Sequence, residues 1–397
     1  MVNPHYSDYK DITENLTLPC AILDMELFEK NIKQVIARTQ GKKIRIASKS
    51  IRSTQLIKHI LGSDNIFQGV MCYSAEEAVH LHSHGVNDIL IAYPIFDSKK
   101  IQMVCKATAQ GAQITLMVDC VTQVQKISNI CVEENVSIPL CIDVDMSSSF
   151  PGIHFGVRRS PINKAEQVLQ LAQYIKQSEN IFFNGIMGYE AQIAGLGDKN
   201  PFNNRVMNFI IRLLKKVSIK RIRRLREDIV NKLQKNGFEC CIVNGGGTGS
   251  LESTSLESCV TEVTAGSAFF CPSLFDYYKN FQHAPALFYA IEVTRIPIQG
   301  IFTCHSGGFV ASGVGQDKIP QPYLPRGCSL LSTEGAGEVQ TPISYKGEKE
   351  IKIGSPIFMR HSKAGELCEH FNQIYLIKNK TIIKKTDTYR GEGKCFL

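Results

Sequence analysis

Eight short apolar runs, spaced along the first two-thirds of the chain, constrain its fold more than any other feature. They are 44–48, 66–70, 88–93, 114–119, 139–145, 181–187, 240–244 and 260–264. Helix-patterned stretches separate most of them, at 56–61 after the first run, 75–81 after the second and 165–172 after the fifth. Strands alternating with helices imply parallel βαβ units. Eight such units suit a closed (β/α)8 barrel, whose strands are buried on both faces and so read as continuous apolar runs. An open doubly wound sheet is the alternative, and the count of eight argues against it.

After about residue 280 the texture changes. Helical periodicity fades, and glycine and proline punctuate short strand-like runs at 288–298, 308–311, 351–353, 357–360 and 373–377. This predicts a mainly β second domain. The expected division is a barrel over 1–280 and a β domain over 281–397, with the segment up to about Leu18 packing on one or the other.

A chain of 397 residues with 43% hydrophobic content can build two cores, and its mean hydropathy of −0.08 argues against disorder. Fourteen cysteines are scattered, mostly inside apolar runs, and none forms a C-x-x-C pair. That is the usage of buried thiols in a reducing compartment. No stretch reaches the roughly 20 apolar residues of a membrane span, and the N-terminus has no charged start followed by an apolar stretch. The expectation is a soluble cytoplasmic protein. Much of the net charge of +8 falls in 215–226, where apolar residues recur at helical spacing. A solvated helix face explains it, and no nucleic-acid recognition motif accompanies it.

Reacting groups in such barrels sit at the carboxyl ends of the strands. The first run ends at Ser48-Lys49-Ser50. The fifth leads through Asp143 and Asp145 to Phe150-Pro151-Gly152-Ile153-His154-Phe155-Gly156-Val157-Arg158. The sixth ends at Tyr189-Glu190, the seventh at Asn244-Gly245-Gly246-Gly247-Thr248-Gly249, and the eighth at Gly266-Ser267. Barrel phosphate sites use the loops after strands seven and eight, where glycine lets the backbone approach an anion and a hydroxyl such as that of Thr248 adds a donor. An amine at the first strand and a phosphate cradle at the last two point to an aldehyde cofactor bearing a phosphate. Pyridoxal phosphate fits, because its aldehyde forms a Schiff base with an amine. Each feature has a plainer reading: a solvated lysine, a tight turn, a core aromatic, carboxylates that cap a loop. Their convergence on one barrel end favours the functional one.

These features resemble the fold-type III pyridoxal phosphate enzymes, which share the alanine racemase-like barrel. Within them the chain is most similar to the D-threonine aldolase and D-serine dehydratase branch, and to its amino acid deaminase/aldolase group. Leu18-Pro19-Cys20-Ala21-Ile22-Leu23-Asp24, Ser48-Lys49 and Gly245-Gly246-Gly247-Thr248-Gly249 carry the branch resemblance. Glu334-Gly335-Ala336-Gly337-Glu338-Val339-Gln340-Thr341-Pro342, Arg360-His361-Ser362-Lys363-Ala364-Gly365-Glu366-Leu367-Cys368 and Thr388-Tyr389-Arg390-Gly391-Glu392-Gly393 carry the narrower one. The resemblance implies that Lys49 holds the cofactor and acts as a base, which requires an amine that is neutral part of the time. It implies that Tyr189 orients the cofactor ring. Asn244, Gly246, Gly247, Thr248, Gly249, Gly266 and Ser267 would then surround its phosphate. It also implies a homodimer.

Two positions depart from the branch. His154 stands where an arginine near the cofactor is usual, although Arg158 and Arg159 follow. Metal-dependent members carry a histidine and, two residues on, a cysteine or aspartate; here the place reads His361-Ser362-Lys363. Lysine is a poor ligand, and this argues against a divalent metal while leaving His361 as its candidate ligand, with Glu366 or Cys368 as completions outside any recognised spacing. As an acid or base instead, His361 has an ordinary pKa of about 6.5 that suits proton transfer.

The implied activity is a lyase acting on a D-configured β-hydroxy amino acid, by retro-aldol cleavage or by dehydration with loss of ammonia. An amino acid racemase is the alternative. It needs a second base opposite Lys49; Tyr323, Tyr345 and Tyr375 lie in the second domain, none in a recognised racemase motif. A non-enzymatic protein that buffers pyridoxal phosphate is the third reading, and the added β domain argues against it.

Overall fold

The structure, a computed structural model, describes residues 5–397. Eight parallel strands close a barrel. In chain order they are Lys43–Ala47, Phe67–Cys72, Ile89–Ile91, Ile114–Val118, Ile138–Asp143, Ile181–Gly188, Ile242–Gly245 and Glu262–Ala265, the last pairing with the first. This is the expected (β/α)8 barrel. Its strands are buried along most of their length, completely so at Ile114–Val118, which is why they read as continuous apolar runs. The seventh strand begins after Cys240 and Cys241, and Cys241 is exposed.

Helix starts follow ordinary capping chemistry. Ser74 accepts from the Glu77 amide ahead of Ala75–Ser83, Asp97 from Lys99 and Lys100 ahead of Ser98–Ala109, and Asn204 from Met207 ahead of the long helix Arg205–Lys235. That last helix contains the basic stretch. Lys216, Lys220, Arg221, Arg223 and Arg224 are solvated as expected, but Lys215 and Arg226 are buried on the stripe of Ile211, Ser218, Ile222 and Ile229. Its N-terminal half also exposes Val206, Ile210, Leu213 and Val217, an apolar stripe at i, i+4, i+7, i+11.

A buried ion pair links the adjacent first and eighth strands inside the barrel. Arg45 on the first strand meets both Glu262 carboxylate oxygens on the eighth, Nε to Oε1 at 2.6 Å and Nη2 to Oε2 at 2.8 Å. Its Nη1 reaches Asp88 O at 2.7 Å. Gly69 makes room for this: with φ +60, any Cβ there would lie 2.1 Å from Asp88 O and 2.7 Å from Arg45 Nη1. Asn244 Nδ2 completes the set, donating to Glu262 Oε1 at 2.8 Å.

The chain divides into two compact units. The barrel unit comprises Val35–Lys49 and Ile57–Gly266, with the last two residues. The second unit takes the described residues up to Gln34, with Ser50–Leu56 and Ser267–Cys395. Its frame is a mostly antiparallel nine-stranded sheet. The strand Cys20–Asp24 lies inside it, antiparallel to Leu287–Ile298 and parallel to Gln373–Lys378, so the early Cys20-Ala21-Ile22-Leu23 run belongs to the sheet. Of the strand-like runs, 308–311 and 351–353 are irregular, because glycine interrupts the first and a turn closes the second. Strands not anticipated are Ile301–His305, Gln321–Leu324, Cys328–Leu330, Gln340–Tyr345 and Thr381–Asp387. The terminal motif is structural in part: Tyr389 N donates to Arg52 O at 2.9 Å, and Thr54 Oγ1 to Glu392 Oε2 at 3.2 Å. No helix among the described residues is long and apolar enough to cross a membrane.

Removing one partner of a buried ion pair leaves the other charge unpaired in low dielectric, which costs about 3–5 kcal/mol. Arg45→Met is therefore expected to lower the unfolding free energy by about that amount in urea denaturation. Lys232→Met, which breaks the exposed pair with Glu166, should change it by less than about 1 kcal/mol. Equal effects would contradict this account of the barrel interior.

Candidate functional site

Lys49 sits in a 3-10 turn, Ser48–Ser50, directly after the first barrel strand. Ser48 Oγ donates to Met71 O at 3.0 Å and ties the turn to the second strand. The Lys49 side chain is exposed. Its Nζ donates to Tyr93 Oη at 2.9 Å and stands 5.6 Å from the centre of that ring. Tyr93 follows the third strand. It was not singled out in the sequence because it closes an apolar run; its place at a strand's carboxyl end was the available signal.

Tyr189 follows the sixth strand. Its ring packs on the barrel-core cluster of Leu90, Met117, Cys141, Met187 and Ile242. Burial pushes its phenol up to about 12, with Arg159 opposing and Glu190 and Tyr93 adding, so the hydroxyl stays protonated at neutral pH. The Arg159 guanidinium lies 5.8 Å from the ring centre. His154, the residue at the branch's arginine position, instead has its Nε2 3.2 Å from Val157 O in its own loop. The cation beside Tyr189 thus comes from five residues further along.

The glycine turn follows the seventh strand. A Cβ at Gly247 would lie 2.8 Å from Ala194 Cβ and 3.2 Å from Tyr189 Cε2, so only glycine lets the backbone pass this close to the Tyr189 ring. Gly249 N donates to Ala194 O at 3.1 Å and Ser250 N to Gly247 O at 2.9 Å, which closes the turn. Behind it lies Arg226, with no exposed side-chain surface. Arg226 donates to Gly188 O at 3.0 Å, Glu190 Oε2 at 3.2 Å and, through Nη1, Glu257. Glu190 Oε1 also accepts from Ser250 Oγ at 2.9 Å and from Thr254. Asn244 is not at the turn's open face. It is 1% exposed, and its amide is engaged by Glu262 and by Thr264 Oγ1 at 2.9 Å.

Three carboxylates end the fourth and fifth strands and the loop beyond. Burial pushes Asp143 up to about 7, with Asp119 and Asp145 adding and Arg159 opposing. Asp145 Oδ1 accepts from Ser147 N at 2.9 Å and Ser147 Oγ at 2.6 Å.

In the second unit, Ser267 Oγ lies 3.2 Å from Ser50 Oγ. His361 is 2% exposed, and neither ring nitrogen has a hydrogen-bond partner among the described residues. Burial, helped by the Arg360 charge, lowers it to about 3. Its imidazole is therefore neutral at neutral pH, and the acid–base role expected from an ordinary histidine pKa loses its basis. The residues around it do not assemble a metal set. Lys363 Nζ donates to Ser312 O at 3.1 Å, the Glu366 carboxylate accepts from Ser312 N at 3.1 Å, and Cys368 Sγ donates to Ile51 O at 3.5 Å. Among the described residues no group of three His, Cys, Asp or Glu is poised for a metal ion. The tyrosines considered as a second base are otherwise engaged: Tyr323 under Arg326, Tyr345 Oη by Lys349 N at 2.9 Å, and Tyr375 under Lys385.

The chain belongs to the family described as alanine racemase, N-terminal domain, whose model matches residues 23–273. It is 24% identical over 253 residues to the 3-hydroxy-D-aspartate aldolase of Paracoccus denitrificans (strain Pd 1222), spanning 63% of this chain and 59% of that protein. It is 24% identical over 272 residues to the D-threonine aldolase of an Arthrobacter species, spanning 68% of this chain and 65% of that protein. Among solved structures, D-threonine aldolase from Filomicrobium marinum aligns with a TM-score of 0.80 at 18% identity, covering 95% of this chain and 96% of that one. D-threo-3-hydroxyaspartate dehydratase from Delftia sp. HT23 aligns at 0.75 and 17% identity, covering 95% and 98%. At these identities the structures establish the shared fold.

Asp143 generates a prediction whose sign follows from linkage. Its folded pKa of about 7 exceeds the unfolded value of about 3.9, so the folded chain binds the extra proton between them. The cost to stability grows as pH rises from about 4 to about 7 and is full above that. Asp143→Asn should therefore melt higher than wild type at pH 8, by roughly 2 °C or more, with the difference gone near pH 4. A difference independent of pH would contradict the assignment.

Proposed function

We propose that this chain is a pyridoxal phosphate-dependent lyase that cleaves or dehydrates a D-configured β-hydroxy amino acid, with Lys49 as the cofactor anchor. The observation that carries this reading is the convergence of Lys49, Tyr189 and the glycine turn on the carboxyl ends of strands one, six and seven of one barrel. The residues fit the group. Gly247 lies where a side chain would fill the space in front of Tyr189, as a backbone cradle for a phosphate requires. The relatives named as aldolases for D-threonine and 3-hydroxy-D-aspartate support the substrate class and its configuration.

When bound, pyridoxal phosphate supplies an aldehyde for an amine and a ring that takes up electrons released at the substrate α-carbon. Lys49 presents the amine and, once free of the cofactor, holds or accepts a proton at Nζ. Tyr189 offers an aromatic face with a hydroxyl that stays protonated, which orients a ring without exchanging protons with it. Gly246, Gly247, Thr248 and Gly249 would hold the phosphate, with Gly266 and Ser267 assigned to the same anion from the loop after strand eight. Arg159, rather than His154, supplies the cation beside Tyr189. No step is assigned to a metal, since the residues near His361 turn elsewhere.

We assign the protein to the cytoplasm and to a homodimer. Free cysteines support a reducing compartment. The outward stripe of Val206, Ile210, Leu213 and Val217 supports association of copies, because contiguous exposed apolar surface of this kind marks contact sites.

Incubation with D-threonine or 3-hydroxy-D-aspartate is expected to give an aldehyde plus glycine, or an oxo acid plus ammonia. Lys49→Ala should lower turnover by about 10³-fold or more. The mirror-image amino acid as the product, without cleavage, would overturn the lyase in favour of a racemase. Equilibrium sedimentation should give twice the chain mass, and Leu213→Glu should shift it towards the monomer; a wild-type monomer would contradict the dimer.

A further inference from the structure

We propose that Tyr93 is a positioning residue for Lys49, holding its amine at the barrel end in the orientation from which it reacts. The inference rests on the reading of Lys49 as the cofactor anchor.

An exposed lysine on a four-carbon stem samples many rotamers, and fixing it has an entropic cost. Tyr93 holds it through its hydroxyl: the phenol oxygen accepts a hydrogen from Nζ at 2.9 Å. The holder is itself fixed. Tyr93 leaves a strand, Ile89–Ile91, whose residues are all buried, and Pro94 restricts its backbone.

The hydrogen-bond direction matters chemically. With Nζ donating to Tyr93 Oη, the lone pair of a neutral Lys49 amine points away from the phenol and is free to attack. A phenol can also donate in return, so Tyr93 pairs with the amine whether or not it carries the extra proton. The proton lost by the ammonium passes to water, and Tyr93 keeps its own. Tyr93 also acts electrostatically on Tyr189, which places its hydroxyl among the groups of the same barrel end.

The test uses Tyr93→Phe, which keeps the ring and removes the hydroxyl. Apoprotein is mixed with pyridoxal phosphate, quenched with borohydride over a time course, and mapped by peptide mass spectrometry. The label is expected at Lys49 in wild type, forming at least about tenfold more slowly in the variant. Two controls separate positioning from folding: the melting temperature, and reductive methylation of Lys49 by formaldehyde, a reagent from solution that needs no alignment. Both should match wild type. Tyr93→His, which restores a hydrogen-bonding group, should recover part of the rate and serves should the phenylalanine variant misfold. Label at Lys49 forming equally fast in wild type and both variants would overturn the role of Tyr93 alone. Wild-type label elsewhere would overturn the anchor reading and this inference together.

Discussion

The barrel end depends on Arg226, a guanidinium with no exposure to solvent. Burying such a charge costs several kcal/mol unless it is paired and fully hydrogen-bonded. Two carboxylates, Glu190 and Glu257, and the Gly188 carbonyl engage its two terminal nitrogens, while its Nε has no partner among the described residues. Glu190 directly follows Tyr189, and its other oxygen holds Ser250 and Thr254, the residues that close the glycine turn and begin the helix beyond it. One network therefore sets the end of strand six, the glycine turn and the ring between them. A Cβ at Gly245 would lie 2.8 Å from Arg226 Nη2, so glycine is needed there to admit the arginine as well. The long helix supplies Arg226 because it falls on the same stripe as Ile222 and Ile229.

The chemistry at the rim divides by exposure. Tyr189 lies against the core cluster and keeps its proton, which suits a platform. Lys49 is exposed and mobile in principle, which suits a nucleophile that must attach and detach, and Tyr93 supplies what a mobile amine lacks. In the unit built on the nine-stranded sheet, His361 is enclosed and neutral at neutral pH, and neither ring nitrogen has a partner among the described residues.

Much of this was legible in the sequence, for identifiable reasons. Parallel barrel strands are buried on both faces, so each of the eight announces itself as an apolar run. The strand-one lysine and the glycine turn are ordinary singly, and stand out because both follow strands at the same barrel end. The β unit was harder to read. Half-exposed antiparallel strands such as Gln340–Tyr345 and Thr381–Asp387 carry polar and charged residues, and Cys20–Asp24 is far in sequence from its partners. Side-chain pairing was beyond reach. The apolar stripe of Ile222 and Ile229 marks Arg226 for burial, but nothing local names its partners Glu190 and Glu257, or shows that Asn244 turns into the barrel while Arg159 faces Tyr189. Those outcomes depend on which distant residues the fold brings near.

The most direct test of the central claim is a crystal structure of the protein grown with pyridoxal phosphate. Density continuous from Lys49 Nζ to the cofactor, with the phosphate against 246–249 and the ring on Tyr189, is the result expected. Cofactor joined to another lysine, or a phosphate bound away from the glycine turn, would contradict it.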